Sequence, residues 1–410
     1  MISLPNILLW SLLACWVLQA IIGVAQNRKL MRRLIIKERP TRERFRPPTT
    51  VIMPIKGIDH DLPGCVRGLC TQDYPDYRVV IVLESQDDPA VPILRQELAS
   101  YPGRDARIMI AGRADPDEGQ KVHNQLHVLR ELLPGMEDKH AIAFADSDAI
   151  PGPRWLGEMV GRLSTRVAVA TGYRWMIPDP DRPASFWSLL ASVINGSVAC
   201  TYRPSDSDQA WGGAMAMLAA TARQGELIRR LTGALTDDYP VTGMAKDLGR
   251  IVRFMPHCLA ATPVDFDLRS FWTFARRQYL ITRIYSPLIY WAAATVLTLW
   301  VTGFTAAWVH LLVNLAQGNE GTWHPSAAAI AIVFVCNHLR SYYRAAVVRA
   351  AFGPDMLRHL RIPLRMDRWL TPLWMLIHWL IALSALSSNR FTWRGIRYHL
   401  TGPHTVRRLD

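Results

Sequence analysis

Asp146-Ser147-Asp148 is the local pattern best suited to chemistry. Two carboxylates one residue apart, directly after the apolar run His140-Ala141-Ile142-Ala143-Phe144-Ala145, can face one hard cation and a diphosphate. A divalent ion held there neutralises phosphate charge and helps a leaving group depart. The plainer alternative is a solvated strand end at which Ser147 and the acids cap the turn into Pro151. A second acidic pair, Asp237-Asp238, stands in Leu235-Thr236-Asp237-Asp238-Tyr239-Pro240. A carboxylate beside an acceptor hydroxyl can act as general base, above all where the surroundings raise its pKa. Helix capping by one of the two acids competes with that reading.

Other polar residues qualify by position. Asp87-Asp88-Pro89 also follows an apolar run, so either acid could accept a hydrogen bond from a uracil imide or a ribose hydroxyl, or simply close a turn. Lys121 stands at the start of a helical pattern, where the helix N-terminus already favours anions, and Asn124 lies one turn further along. Gly212-Gly213 after Trp211 lets backbone approach a sugar or an acceptor closely while the indole offers an apolar face, although a tight turn with a packed Trp has the same signature. Arg276-Arg277-Gln278-Tyr279 could meet a nucleotide phosphate or a lipid headgroup, with interfacial anchoring as the alternative. His257, His310 and His378 show no ligand-like spacing.

These residues need elements to hold them. The apolar runs Val51-Ile52-Met53-Pro54, Tyr77 to Leu83, Arg107 to Ile110, His140 to Ala145 and Val167 to Thr171 read as short buried strands. Helical patterns from about Val91 to Leu98, Val122 to Leu133 and Ala216 to Gln224 separate or follow them. Strands of this kind alternating with helices predict a mostly parallel α/β sheet, and such sheets bind ligands at the carboxyl ends of their strands, where the polar segments fall.

The rest of the chain is written for a bilayer. Met1 to Asn27, Ile284 to Asn319, Gly321 to Leu339 and Trp369 to Asn389 contain no Lys, Arg, Asp or Glu. Such runs approach or exceed the roughly 20 residues needed to cross as helix. The 47 Lys and Arg exceed the 34 Asp and Glu by 13, and the excess gathers between Gln26 and Thr50 and between Arg340 and Arg368, flanking the apolar runs. Anionic phospholipid and the positive-inside bias account for such clusters, so no nucleic-acid module is called for. The six scattered cysteines predict free thiols rather than a disulfide framework or a zinc site. Phe271 to Tyr285 mixes Arg with aromatic and aliphatic residues like an in-plane amphipathic helix.

The expected organisation is an N-terminal anchor over 1–27, a basic interfacial linker over 28–48 and an α/β domain over 49–268. An amphipathic segment over 269–285, transmembrane helices with a basic cytoplasmic loop over 286–389 and a basic tail over 390–410 follow. Three full spans after the domain would put that basic tail on the opposite side from the domain. The parity is satisfied instead by a re-entrant segment, or by a tight hairpin within the Ile284 to Asn319 run; otherwise the tail violates the charge bias.

Taken together, Pro54-Ile55-Lys56-Gly57, Glu84 to Ala90, Lys121 to Leu126, Asp146-Ser147-Asp148, Gly212-Gly213-Ala214-Met215, Asp237-Asp238-Tyr239 and Trp393-Arg394-Gly395 resemble the ceramide glucosyltransferase family. These are membrane-bound family 2 type glycosyltransferases, a group that includes bacterial hopanoid glycosyltransferases. The resemblance covers roughly residues 50 to 285, with the tail extending it. It implies a GT-A-like nucleotide-diphospho-sugar transferase domain and inverting transfer of a hexosyl unit, glucose first, from a UDP-sugar to the hydroxyl of a membrane lipid such as ceramide. A hopanoid acceptor with UDP-N-acetylglucosamine is the near alternative. It implies Mg²⁺ or Mn²⁺ on Asp146 and Asp148, nucleotide contact at Asp88, Asp238 as general base and Asp237 as a neighbouring acid. The family's Gln or Arg, two variable residues, then Arg-Trp, falls at Arg276 to Leu280, where this sequence lacks the Arg-Trp end. A multi-pass inner-membrane location with the catalytic domain in the cytoplasm follows from the same resemblance. A processive polysaccharide synthase fits the short spans poorly. A transporter with a ligand-binding domain needs ionisable residues within its spans, and these spans are nearly charge-free.

Overall fold

A computed structural model describes residues 4–36, 45–202, 208–319 and 321–409; residues 37–44 of the expected basic linker lie outside them. The chain opens with helix α1 (Leu4–Ile35), so the first part of that linker continues the anchor helix. Then come β1 (Thr49–Pro54), α2 (Leu62–Cys70), β2 (Tyr77–Leu83), α3 (Ala90–Ala99), β3 (Ala106–Ile110), α4 (Gln120–Leu132), β4 (Ala141–Ala145), α5 (Trp155–Val160) and β5 (Val167–Pro178). Next are α6 (Phe186–Ala199), β6 (Ala214–Leu218), α7 (Ala219–Gln224), α8 (Leu227–Leu231), α9 (Asp238–Asp247) and β7 (Ile251–Val264). The chain ends with α10 (Leu268–Tyr285), α11 (Pro287–Ala316), α12 (His324–Phe352), α13 (Pro354–His359), α14 (Arg361–Trp369), α15 (Thr371–Ser384), β8 (Arg390–Trp393), β9 (Ile396–Gly402) and β10 (Thr405–Arg408).

Two compact units result. One holds Lys37–Ala184, Tyr202–Asp265 and Asn389–Asp410, and the other holds Met1–Ile36, Ser185–Thr201 and Phe266–Ser388. A continuous 49–268 domain is therefore interrupted: the apolar helix α6 packs with the helical unit, and the basic tail packs with the α/β unit.

In the α/β unit, a seven-stranded sheet runs β3-β2-β1-β4-β6-β5-β7. Only β6 is antiparallel to its neighbours. Alternate residues supply opposite faces: Val51, Met53, Val79, Ile81 and Leu83 pack with α2, α3 and α5, while Ile52, Val80 and Val82 pack with α4. Both faces are covered, which is why these strands read as unbroken apolar runs. The same alternation explains a correction. Ala216 to Leu218, expected as the start of a helix, is strand, because Ala214 and Ala216 face one core and Met215 and Met217 the other between β4 and β5. Helix begins only at Ala219. A separate three-stranded sheet, β10-β9-β8, completes the unit.

In the helical unit, α1 and α11 close on Trp16, which is 1% exposed and lies edge-on to Trp300 at 6.1 Å. Buried charge where α12 meets α14 is paired. Arg344 on α12 bonds Asp367 on α14 at 2.6 Å and Asn27 on α1 at 3.1 Å. Leu8, Leu18, Ile21, Leu288, Trp291, Val309 and Leu312 remain exposed on α1 and α11. By length and composition, Asn6–Ile35 and Pro287–Ala316 can cross a membrane. The second is one unbroken helix, so it contains no tight hairpin. Helix α15, at 14 residues, extends only about 21 Å, short of a hydrocarbon core of roughly 30 Å.

Candidate active site

The parallel strands β1, β2 and β4 end at one edge of the α/β unit, and their terminal loops carry Asp59, Asp88 and Asp146 to Asp148. Because β6 runs the other way, with Ala214 opposite Ala145, its first residues lie beside the end of β4. Trp211-Gly212-Gly213 therefore arrives next to Asp146, whose backbone N–H donates to the Gly213 carbonyl at 3.2 Å.

Lys121, on the first turn of α4, bridges two acids that are distant in sequence. Its Nζ lies 2.7 Å from Asp146 Oδ1 and 3.3 Å from Asp237 Oδ1. Burial works against its charge, but Asp146 and Asp237 outweigh burial and hold its pKa above the ordinary lysine value. Asp237 is 1% exposed and accepts a second bond from Gln125 Nε2 at 2.6 Å. It is a fixed counter-charge that steers Lys121. The two glycines make this closeness possible. A Cβ on Gly212 would stand 2.1 Å from Asp237 Oδ1, and one on Gly213 would stand 2.2 Å from Trp211 Cζ2 and 2.7 Å from Asp146 Oδ2.

Asp238 opens α9. Its Oδ1 accepts from Thr236 Oγ1 at 2.6 Å and from the Tyr239 N–H at 2.9 Å. Burial, and then the Asp237 charge, push its carboxyl up to about 6, against the Thr236 bond and the Lys121 charge. Tyr173, Trp211 and Tyr202 form a contiguous aromatic wall, with Tyr173 4.7 Å from Tyr202 and 5.5 Å from Trp211 between ring centroids. After burial and Arg174, the Asp238 charge is a further influence on the Tyr173 phenol, whose pKa is raised.

Asp148 meets Arg174 Nη1 at 3.5 Å through Oδ2. Its Oδ1 is buried with no hydrogen-bond partner. Burial raises this carboxyl to about 6; Arg174 opposes the rise, and Asp146 and Asp59 add to it. Among the described residues no three His, Cys, Asp or Glu side chains group as a metal site. A two-carboxylate site nevertheless fits Mg²⁺ or Mn²⁺, since such ions usually take one or two carboxylates and complete their shell with substrate phosphates and water. The unsatisfied Asp148 Oδ1 is the acceptor a cation would satisfy.

Other expected contacts are placed differently. Asp88 braces a turn, accepting from the Gly57 N–H at 3.0 Å and the Ala90 N–H at 2.9 Å. Asn124 is buried, donating to the Val82 carbonyl at 3.2 Å and accepting from Gln120 at 2.8 Å, so it pins α4 to the end of β2. Arg276 and Arg277 belong to the helical unit, where Arg276 Nε donates to the Ser384 carbonyl at 3.0 Å and Arg277 lies 5.3 Å from the Phe274 ring centre. Sequence reasoning assigned no role to Asp59, Gln125, Arg174 or Arg394. Asp59 is buried, accepts from Ser147 Oγ at 2.6 Å and pairs with Arg394. The only signal for Arg394 was its place in Trp393-Arg394-Gly395.

The model of glycosyl transferase family 21 matches residues 9–406. A ceramide glucosyltransferase of Komagataella phaffii is 36% identical over 78 residues, 18% of this chain and 15% of that protein. One of Gibberella zeae is 41% identical over 66 residues, 16% of this chain and 12% of that protein. The matched segments thus span well under two thirds of these relatives. Among solved structures, the mannosyltransferase PcManGT from Pyrobaculum calidifontis, in complex with GDP-Man and Mn²⁺, is similar at a TM-score of 0.47 and 16% identity over 88% of this chain and 99% of that one. Glucosyl-3-phosphoglycerate synthase from Mycobacterium tuberculosis, with Mn²⁺, UDP and glucosyl-3-phosphoglycerate, is similar at 0.35 and 14% over 57% and 78%.

Proposed function

The chain belongs to glycosyl transferase family 21, and on that premise we propose that this sugar-transferring enzyme moves a hexosyl unit from a UDP-sugar, UDP-glucose first, to the hydroxyl of a membrane lipid such as ceramide, inverting the anomeric carbon. The convergence of Asp146, Lys121 and Asp237 beside the Gly213 backbone carries this reading. It joins carboxylates for a cation to a lysine for a diphosphate, with Asp238 next along the chain.

Asp238 takes the proton of the acceptor hydroxyl as its oxygen attacks the anomeric carbon. The bond from that carbon to the diphosphate oxygen breaks, and UDP leaves with the electron pair. A pKa of about 6 leaves Asp238 ionised at neutral pH yet more basic than an ordinary aspartate, which suits a general base. Lys121 offers positive charge to the leaving diphosphate while Asp237, itself fixed by Gln125, holds its ammonium in place. Asp146 and Asp148 would hold Mg²⁺ or Mn²⁺, whose Lewis acidity neutralises diphosphate charge. The aromatic wall at Tyr173, Tyr202 and Trp211 excludes water and gives the sugar an apolar face. Asp88 and Asn124 shape the nucleotide end of the site through the turn and helix they brace. In this reading Arg276 and Arg277 serve phosphate or headgroup binding only through the helical unit.

The tail packs within the α/β unit, so both lie on one side of the membrane. An even number of crossings between them is met by α11 and α12, with the short α15 not crossing. Basic residues beyond α1 and between Arg340 and Arg368 support a cytoplasmic side for both, and favour anionic phospholipid beside it.

The test is product mass. Purified protein in detergent is given UDP-glucose or UDP-N-acetylglucosamine with ceramide or a hopanoid polyol. Hexosylceramide supports the reading, an N-acetylhexosaminyl hopanoid alone overturns its donor and acceptor, and no transfer to any lipid from either sugar overturns it entirely.

A further inference from the structure

The turn between β8 and β9 is Arg394-Gly395, with φ of 51° and 78°. Two successive left-handed residues make a tight hairpin turn in which Asn or Gly is the unstrained choice at the first position. Among the described residues only Glu226 and Arg394 are non-glycine residues with positive φ. Backbone held in that region is strained and persists where the surroundings enforce it. The turn residue is thus a cation at a place where chain geometry disfavours it.

That cation reaches the site. Arg394 Nη2 pairs with Asp59 across 335 residues of sequence, and Asp59 in turn accepts from Ser147, the residue between the two metal-site carboxylates. Asp148 and Asp146 also act on the Arg394 charge, after Asp59. The side chain keeps 40% of its surface exposed, so a ligand can meet it. A guanidinium presents five donors in a planar fork suited to phosphate oxygens, more than one carboxylate uses.

The hairpin has its own anchors. The Gln120 N–H donates to Tyr398 Oη at 3.4 Å and the Arg408 N–H donates to the Pro116 carbonyl at 2.6 Å. Phe391 and Tyr398 stack at 5.7 Å, and Leu400 is fully buried. The Arg394 side chain is not needed to dock the strands.

We propose that Arg394 is a diphosphate-binding residue of the donor site, carried in by the turn of the C-terminal hairpin and steadied by Asp59. The proposal rests on the donor-site reading above. Asp59 holds the guanidinium over the Asp146 to Asp148 loop before the donor arrives, and the remaining N–H groups grip the diphosphate. Arg394 joins Lys121 in balancing charge as UDP departs.

The test uses Arg394→Gly, which removes the cation and relaxes the turn rather than breaking it. UDP and uridine are titrated in the presence of Mn²⁺ onto wild type, Arg394→Gly and Asp146→Asn, and hydrogen exchange follows residues 396–409. Loss of charge-assisted bonds predicts UDP binding weakened roughly 10–100-fold in Arg394→Gly, with uridine binding and hairpin protection unchanged. Unchanged UDP affinity, equal weakening of uridine, or weakening accompanied by an unprotected hairpin overturns the proposal. If Asp146→Asn weakens UDP while Arg394→Gly does not, only this proposal fails. If Asp146→Asn also leaves UDP unaffected, the donor-site reading fails with it.

Discussion

Replacing Asp238 with Asn removes the proposed base while keeping its shape. The amide oxygen can still accept from Thr236 Oγ1 and the Tyr239 N–H, now 2.6 and 2.9 Å away, so the start of α9 has no reason to unfold. A positioned general base contributes about 10²–10⁴-fold, so kcat should fall by that factor, or about 3–5 kcal/mol of barrier. The wild-type pH profile provides a second check. Burial and the Asp237 charge raise Asp238 to about 6, so it is protonated below that pH and inactive as a base. About nine-tenths should be ionised at pH 7 and about one-tenth at pH 5, and kcat/KM should fall at least tenfold per pH unit below 6, about tenfold from Asp238 itself. Initial rates of sugar transfer from a labelled UDP-sugar, with thermal melting as the fold control, measure both. An Asp238→Asn enzyme within threefold of wild type, or a wild-type profile flat between pH 5 and 7, refutes the assignment.

Three further outcomes follow from close contacts. Lys121→Met leaves the buried Asp237 carboxylate without its cation; removing one partner of a buried pair costs about 3–5 kcal/mol, so the melting temperature should drop and UDP affinity should fall at least tenfold. Gly212→Ala places a Cβ 2.1 Å from Asp237 Oδ1, which should cost about 1–3 kcal/mol in stability and lower kcat by displacing Lys121; melting and steady-state rates measure the two effects. Gly303→Leu puts a Cβ 2.7 Å from Trp16 Cβ and should force α1 from α11, seen as faster heat inactivation in detergent with the donor KM unchanged.

Legibility differs along the chain for physical reasons. The strands that carry the site were plain because β1, β2 and β4 are buried on both faces, leaving uninterrupted apolar runs that give way to polar segments. Strand β6 was hidden because Ala214-Met215-Ala216-Met217-Leu218 consists of good helix formers, and only its position between β4 and β5 makes it extended. The Asp146 and Asp237 neighbourhood could be guessed from residue type, yet nothing local announces that Lys121 joins them, since the contact depends on how the start of α4 meets the loop before α9, where the Gly119 N–H donates to the Ala234 carbonyl at 3.2 Å. Asn124 illustrates the opposite failure: a polar residue one turn from Lys121 suits a ligand, but its amide is consumed by Gln120 and the Val82 carbonyl. Arg394 was the least accessible, because pairing across 335 residues leaves no trace in spacing. The expected 49–268 domain also took in α6, whose apolar surface packs with the helical unit.

In the proposed mechanism, Asp146 and Asp148 complete a cation site only together with a nucleotide diphosphate. Electron paramagnetic resonance of Mn²⁺, titrated onto the protein with and without UDP, measures this directly. Weak binding alone, at least tenfold tighter binding with UDP, and loss of that gain in Asp148→Asn are expected. Equal Mn²⁺ affinity with and without UDP, or a gain that survives Asp148→Asn, would contradict it.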